Sequence, residues 1–141
     1  VKVYIASSWK NQHAVEMLTD QLREMGCCVL SFVENNHGEG HGAEKPIDFE
    51  EWVLTEQAQS SFNYDTKGAT DSDLVIYISP SGTDAWAEVG AAWASGRTIF
   101  GLHAKGEPSG LMRKMVSAWY DNYKALILAV DNHIRTNDLD V

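Results

Sequence analysis

The stretch from Asp73 to Ala104, DLVIYISPSGTDAWAEVGAAWASGRTIFGLHA, constrains the fold more than any other part of the chain. It reads as a strand, a tight glycine turn, a helix and a second strand. Leu74 to Ser79 is a near-continuous apolar run, the composition of a central parallel strand covered on both faces. Strands joined by a helix in this way pair in parallel through a right-handed crossover. Between Asp84 and Arg97 the helix is built from Ala, Trp, Val, Gly and Ser, and Glu88 is the exception. A helix so rich in small and apolar residues is expected to lie against a sheet, where an uncompensated carboxylate loses roughly several kcal/mol of hydration. Glu88 therefore either escapes to solvent near the helix start or faces a site.

The rest of the chain repeats the strand–helix pattern. Val1 to Ala6, VKVYIA, alternates like a strand and runs into the polar turn SSWKN. Ala14, Met17, Leu18, Leu22 and Met25 then recur at helical steps until Gly26. Cys28 to Val33 reads as strand two, and Glu34 to Pro46 as a long polar, glycine-rich loop. Asp48 to about Ser60 reads as a second helix with an acidic first turn, and NYDTKGATDSD as a turn-rich connection into strand three. Thr98 to His103 gives strand four and KGEPSG a turn. LMRKMVSAW is a short helix or helix plus strand, and Tyr123 to Ile134 a final amphipathic helix.

These alternations call for a three-layer α/β domain spanning residues 1–141, with a flavodoxin-like or Rossmann-like parallel sheet and helices on both faces. Ligands of such sheets bind beyond the carboxyl ends of the strands. That rule brings SSW, ENNHGEG and SPSGTD to one rim. No GxGxxG fingerprint or GxxxxGK[ST] loop occurs, which disfavours a dinucleotide or triphosphate cradle, and no cofactor is implied.

Charge narrows the partners further. Lys and Arg total 11 against 20 Asp and Glu, for a formal charge of −9, so the attraction that drives binding to DNA or RNA backbones is missing. Polymeric nucleic acid is not an expected partner; a single nucleoside or nucleotide stays compatible. No apolar run reaches the length of a membrane span, and the N-terminal residues lack the order of a signal peptide. Cys27 and Cys28 are adjacent on a strand and point to opposite faces, which speaks against a disulfide between them and for a reducing cytoplasm. His37 and His41 have no third ligand at a metal-site spacing, so no metal is expected.

VYIASSW, YDTKGATDSD, SPSGTDAWAEVGAAWASG and the later GLM together resemble the nucleoside 2-deoxyribosyltransferase family, over residues 2 to about 115. Related hydrolases of deoxynucleoside monophosphates share that outline. The resemblance implies that Glu88 matches the nucleophile, Asp65 the aspartate that binds and protonates the leaving base, and Tyr4 the tyrosine that holds the nucleophile. It implies Trp9 as an aromatic wall of the pocket and a homo-oligomer as the working state. Two departures stand out: four residues separate Thr83 from Glu88 where the transferases have two, and Gly110 precedes Leu111 where they carry an asparagine that reaches a neighbouring subunit's sugar.

Residue chemistry agrees with this reading and leaves competitors. Breaking an N-glycosidic bond builds an oxocarbenium-like sugar, which one carboxylate captures while an acid on the other side helps the base depart. The competing readings make Glu88 a helix-start acid, Asp84 an N-cap rather than a hydroxyl ligand, Asp65 a turn residue, Tyr4 a core tyrosine and Asp73 a strand-end cap. Ser81, Gly82 and Thr83 serve as an anion nest or simply as a turn. Trp86, Trp93, Trp119, Met112 and Met115 read as core or subunit interface. The expected activity is cleavage or transfer at the N-glycosidic bond of a (deoxy)nucleoside or nucleotide through a covalent glycosyl-Glu88 intermediate. Hydrolysis of a nicotinamide-dinucleotide type N-riboside, and a non-catalytic nucleotide-binding module, are the alternatives.

Overall fold

A computed structural model describes residues 1–34, 48–108 and 110–139 of the chain. Five strands, β1 (Lys2–Ala6), β2 (Cys28–Ser31), β3 (Leu74–Ile78), β4 (Thr98–Leu102) and β5 (Ala118–Tyr120), form one sheet in the order β2-β1-β3-β4-β5. Every pairing is parallel. The helices are α1 (Gln12–Glu24), α2 (Phe49–Trp52), α3 (Glu56–Asp71), α4 (Thr83–Ala94) and α5 (Tyr123–Leu139), with short 3-10 turns at Trp9–Asn11 and Leu111–Met115. This is the three-layer, flavodoxin-like arrangement expected from the alternation of elements, with the fifth strand at the end of the segment read as a short helix or helix plus strand.

Alternation along the strands assigns side chains to two separate cores. Val3, Ile5, Leu74, Ile76 and Ile78 point to the face covered by Val15, Leu18 and Leu22 of α1 and Leu126 and Val130 of α5. Tyr4, Ala6, Val75, Tyr77 and Ile99 point to the other, under Ala69 of α3 and Ala85, Val89 and Ala92 of α4. The small residues of α3 and α4 let both helices sit close to the sheet. Gly68 is the tightest point: a Cβ there would lie 2.4 Å from Cδ1 of Tyr4.

Three sequence expectations are corrected. NYDTKGATDSD is not a turn-rich connection, because all but its last two residues belong to α3. Thr66 and Thr70 turn their hydroxyls back onto the carbonyls of Phe62 and Thr66, and Ala58, Ser61, Gly68 and Ala69 are buried, so tertiary packing overrides weak helix formers. The helix expected from Asp48 to Ser60 is split, since Thr55 caps α3 by accepting the Ala58 N–H and ends the short α2 before it. The final helix extends to Leu139. LMRKMVSAW resolves into the 3-10 turn and β5, a helix plus strand. Most of the loop from Glu34 to Pro46, with His37 and His41, lies outside the described residues.

Candidate functional site

The carboxyl ends of β1 and β3 are tied together by one side chain. Asn11 donates from Nδ2 to Ser7 Oγ at 2.9 Å and to the Pro80 carbonyl at 2.7 Å, while Ser7 donates to the Ile78 carbonyl at 2.9 Å. The turn after β1 and the turn before α4 thereby form one wall. Opposite them stand α2 and the first half of α3, and between lies a cleft of about 580 Å³, a size suited to a small-molecule ligand.

Glu88 and Asp65 both line this cleft, one from α4 and one from α3. Beneath them Tyr4 is fully buried in β1, and its hydroxyl donates to Oε1 of Glu88. Burial first, then the charges of Glu88 and Asp65 and hydrogen bonding to both, push the Tyr4 phenol well above its ordinary range. It therefore stays protonated at neutral pH and can hold a carboxylate by donation. The three residues that the sequence singles out for chemistry thus meet at one place, on three different elements.

The other site residues fall around the same cleft. Trp9 lines it from the 3-10 turn and meets Phe32 edge-on at 4.9 Å between ring centres. Ser81, Gly82 and Asp84 line it at the start of α4. Asp84 is not the N-cap, as Gly82 takes that position and α4 has no side-chain cap; Asp84 lies in the first turn. The helix therefore begins early enough to put Glu88 in its second turn, which accounts for the longer spacing after Thr83. Asp73 accepts the Lys2 N–H at 2.8 Å and joins β3 to β1, away from the cleft, as a strand-end cap does.

Sequence reasoning did not find the aromatic end of the cleft. Phe32, Phe49, Trp52 and Phe62 line it with Trp9, giving one end of flat apolar surfaces and another of serines, glycine and carboxylates. The density of aromatics between residues 49 and 62 was the available signal, but periodicity does not say which sheet edge a helix overhangs. Among the described residues no cluster of three or more His, Cys, Asp or Glu has metal-binding geometry. Nor is any described helix long and apolar enough to cross a membrane.

A parallel β2-β1-β3-β4-β5 sheet with paired carboxylates at its carboxyl edge defines the class: an α/β fold with a cleft of small-molecule size. No protein-family model matches the sequence, and no curated protein matches it significantly. Solved structures do. A 2-deoxyribosyltransferase from Bacillus psychrosaccharolyticus is similar with a TM-score of 0.68 and 20% identity, over 89% of this chain and 90% of that one. The Clostridium botulinum CMP N-glycosidase BcmB is similar with a TM-score of 0.59 and 18% identity, over 93% of this chain and 99% of that one. A conserved protein from Enterococcus faecalis V583 gives 0.68 and 14%, over 94% and 98%. The chain therefore shares its fold with these proteins, in line with the resemblance read from the sequence.

Proposed function

We propose that this protein cleaves or transfers at the N-glycosidic bond of a (deoxy)nucleoside or nucleotide, with Glu88 as the nucleophile. The observation that carries the reading is the meeting of Tyr4, Glu88 and Asp65 at the floor of a cleft that is aromatic at one end and polar at the other. The fold shared with a 2-deoxyribosyltransferase and a CMP N-glycosidase supports it.

The base stacks among Trp9, Phe32, Phe49 and Trp52, and the sugar lies over Glu88 with its 5′ end toward Ser81, Gly82 and Asp84. A Glu88 oxygen attacks the anomeric carbon as the bond to the base nitrogen breaks; the base takes the bonding electrons and a proton from Asp65. Tyr4 orients the attacking carboxylate by hydrogen bonding and never gives up its own proton. In the second step water, or the nitrogen of another base, attacks the anomeric carbon. The incoming group loses its proton to Asp65, Glu88 leaves as the carboxylate, and two inversions give net retention. Residues 1–141 act in this reading as one cytoplasmic domain. They work as a homo-oligomer, a role for which the exposed Trp93, Leu111 and Met112 offer apolar surface, to be checked by light scattering.

Incubation with deoxynucleosides, ribonucleosides, their 5′-monophosphates and NAD, with and without a second free base, tests the proposal. The expected result is release of free base, or formation of a new nucleoside when an acceptor is present, with loss of both in Glu88→Ala. A ligand that raises Tm while neither the parent protein nor Glu88→Ala turns it over supports a binding module instead and contradicts the proposal.

A further inference from the structure

Outside the trio a third carboxylate is enclosed by the protein. Glu107, from the connection between β4 and β5, has a side chain only 6% exposed. Its Oε1 accepts three donors: the Tyr77 hydroxyl from β3, the Ser81 N–H at 3.1 Å and the Trp86 Nε1–H at 3.1 Å from α4. The Arg113 guanidinium stands 4.0 Å from its Oε2 and also lies 4.0 Å over the Trp119 ring. Gly101 makes room for that ring, since a Cβ there would meet Trp119 Cε3 at 2.5 Å.

Burying a charge is an inefficient way to gain stability, because desolvation offsets much of what its partners return. A well-packed apolar side chain would fill this space as well. What it would not do is accept hydrogen bonds from a strand, a turn and a helix at one oxygen. Ser81 is one of those partners and, with Gly82, lines the polar end of the cleft, whereas Glu107 does not line it at all.

We infer that Glu107 is a positioning residue, fixing the Ser81–Gly82 turn in the conformation that receives the sugar end of the substrate. The inference rests on the catalytic reading above. It acts through binding: the turn is held ready before the substrate arrives, so loosening it weakens the ground-state complex and leaves the reacting carboxylate with its own support from Tyr4.

Glu107→Gln tests this by steady-state kinetics and by hydrogen exchange at the Ser81 amide. The oxygen that accepts the three donors is then uncharged, and an amide NH2 in place of Oε2 faces the Arg113 guanidinium. The expected result is KM raised about tenfold with kcat within about threefold of the parent, and Ser81 exchange faster by about tenfold. Glu107→Gln should also lower Tm, because the Arg113 cation is left without its partner; adding Arg113→Met removes that cation and should restore Tm while KM stays high. A double variant that regains both parent Tm and parent KM assigns Glu107 a purely structural role and overturns the inference, as does an active Glu107→Gln with parent KM and parent Ser81 exchange. Absence of base release by the parent protein on every substrate of the panel is a different result, which removes the catalytic reading and this inference with it.

Discussion

Gly68→Ala puts the closeness of α3 to β1 to a quantitative test. In an exposed helix interior this change stabilises by about 1 kcal/mol, because alanine loses less backbone freedom on folding. Here the added methyl carbon would sit 2.4 Å from Cδ1 and 2.8 Å from Cε1 of Tyr4. That is about 1 Å inside ordinary van der Waals contact, and the ring is fully buried with nowhere to retreat. Overpacking of this kind costs about 1–3 kcal/mol, so it cancels the propensity gain and should leave a net cost of up to about 2 kcal/mol, lowering Tm by up to about 8 °C. The strain falls on the ring that carries the hydroxyl at Glu88 and on the helix that carries Asp65 one turn away. A displacement of about 1 Å among reacting groups costs on the order of a hundredfold in rate. Thermal melts and kcat/KM on the same preparation measure both effects. A variant that melts higher than the parent and turns over at the parent rate would refute the packing argument, since only the propensity effect would then be operating.

Tyr4→Phe should fold but lose a hydrogen bond to a charged acceptor worth about 1.5–3 kcal/mol, lowering kcat/KM by about 10- to 150-fold; an unchanged value would mean Tyr4 is merely core. Tyr4 and Tyr77 both have raised phenol pKa values through burial and neighbouring carboxylates, so the unfolded chain ionises them near pH 10 while the folded chain does not. Stability should therefore be full below about pH 10 and fall above it, less steeply in Tyr4→Phe, as followed by urea melts against pH. Burial works to raise the Glu107 carboxyl, but hydrogen bonds from Tyr77, Trp86 and Ser81 and the Arg113 charge outweigh it, and the pKa is lowered. Its contribution is present above the ordinary glutamate range and is lost as pH falls through the folded value, so Glu107→Gln should flatten acid unfolding below about pH 4.5. Asn11→Ala breaks the tie between the two turns and should cost about 1–2 kcal/mol in urea unfolding, whereas no change would show that the turns hold themselves.

The elements that the sequence made plain are those whose pattern is local. β3 is an unbroken apolar run because both faces are covered, and β1 alternates because Val3 and Ile5 serve one core and Tyr4 and Ala6 the other. The anomaly of Glu88 in an apolar helix was legible for the same reason. What stayed hidden depends on contacts between distant parts of the chain. Residues 63–71 read as turns because asparagine, threonine, glycine and aspartate favour them in isolation, and the close approach of α3 to Tyr4 at Gly68 goes with their helical conformation. Glu107 lies in KGEPSG, which looks like a solvated turn, and its three donors come from residues 77, 81 and 86. The aromatic end of the cleft was unreadable because helical spacing does not reveal that α2 and α3 overhang the rim where Trp9 stands.

The claim on which all of this depends is that the Glu88 carboxylate bonds to the sugar. A 2-fluoro arabinosyl analogue of whichever nucleoside the parent protein turns over slows both the formation and the breakdown of a glycosyl-enzyme, the fluorine disfavouring the oxocarbenium-like transition states. Intact-protein mass spectrometry followed by peptide mapping should find one fluorosugar per chain, attached to Glu88, discharged by an acceptor base or by water, and absent from Glu88→Gln. Turnover of the natural substrate without any adduct, or an adduct on a residue other than Glu88, would contradict the account.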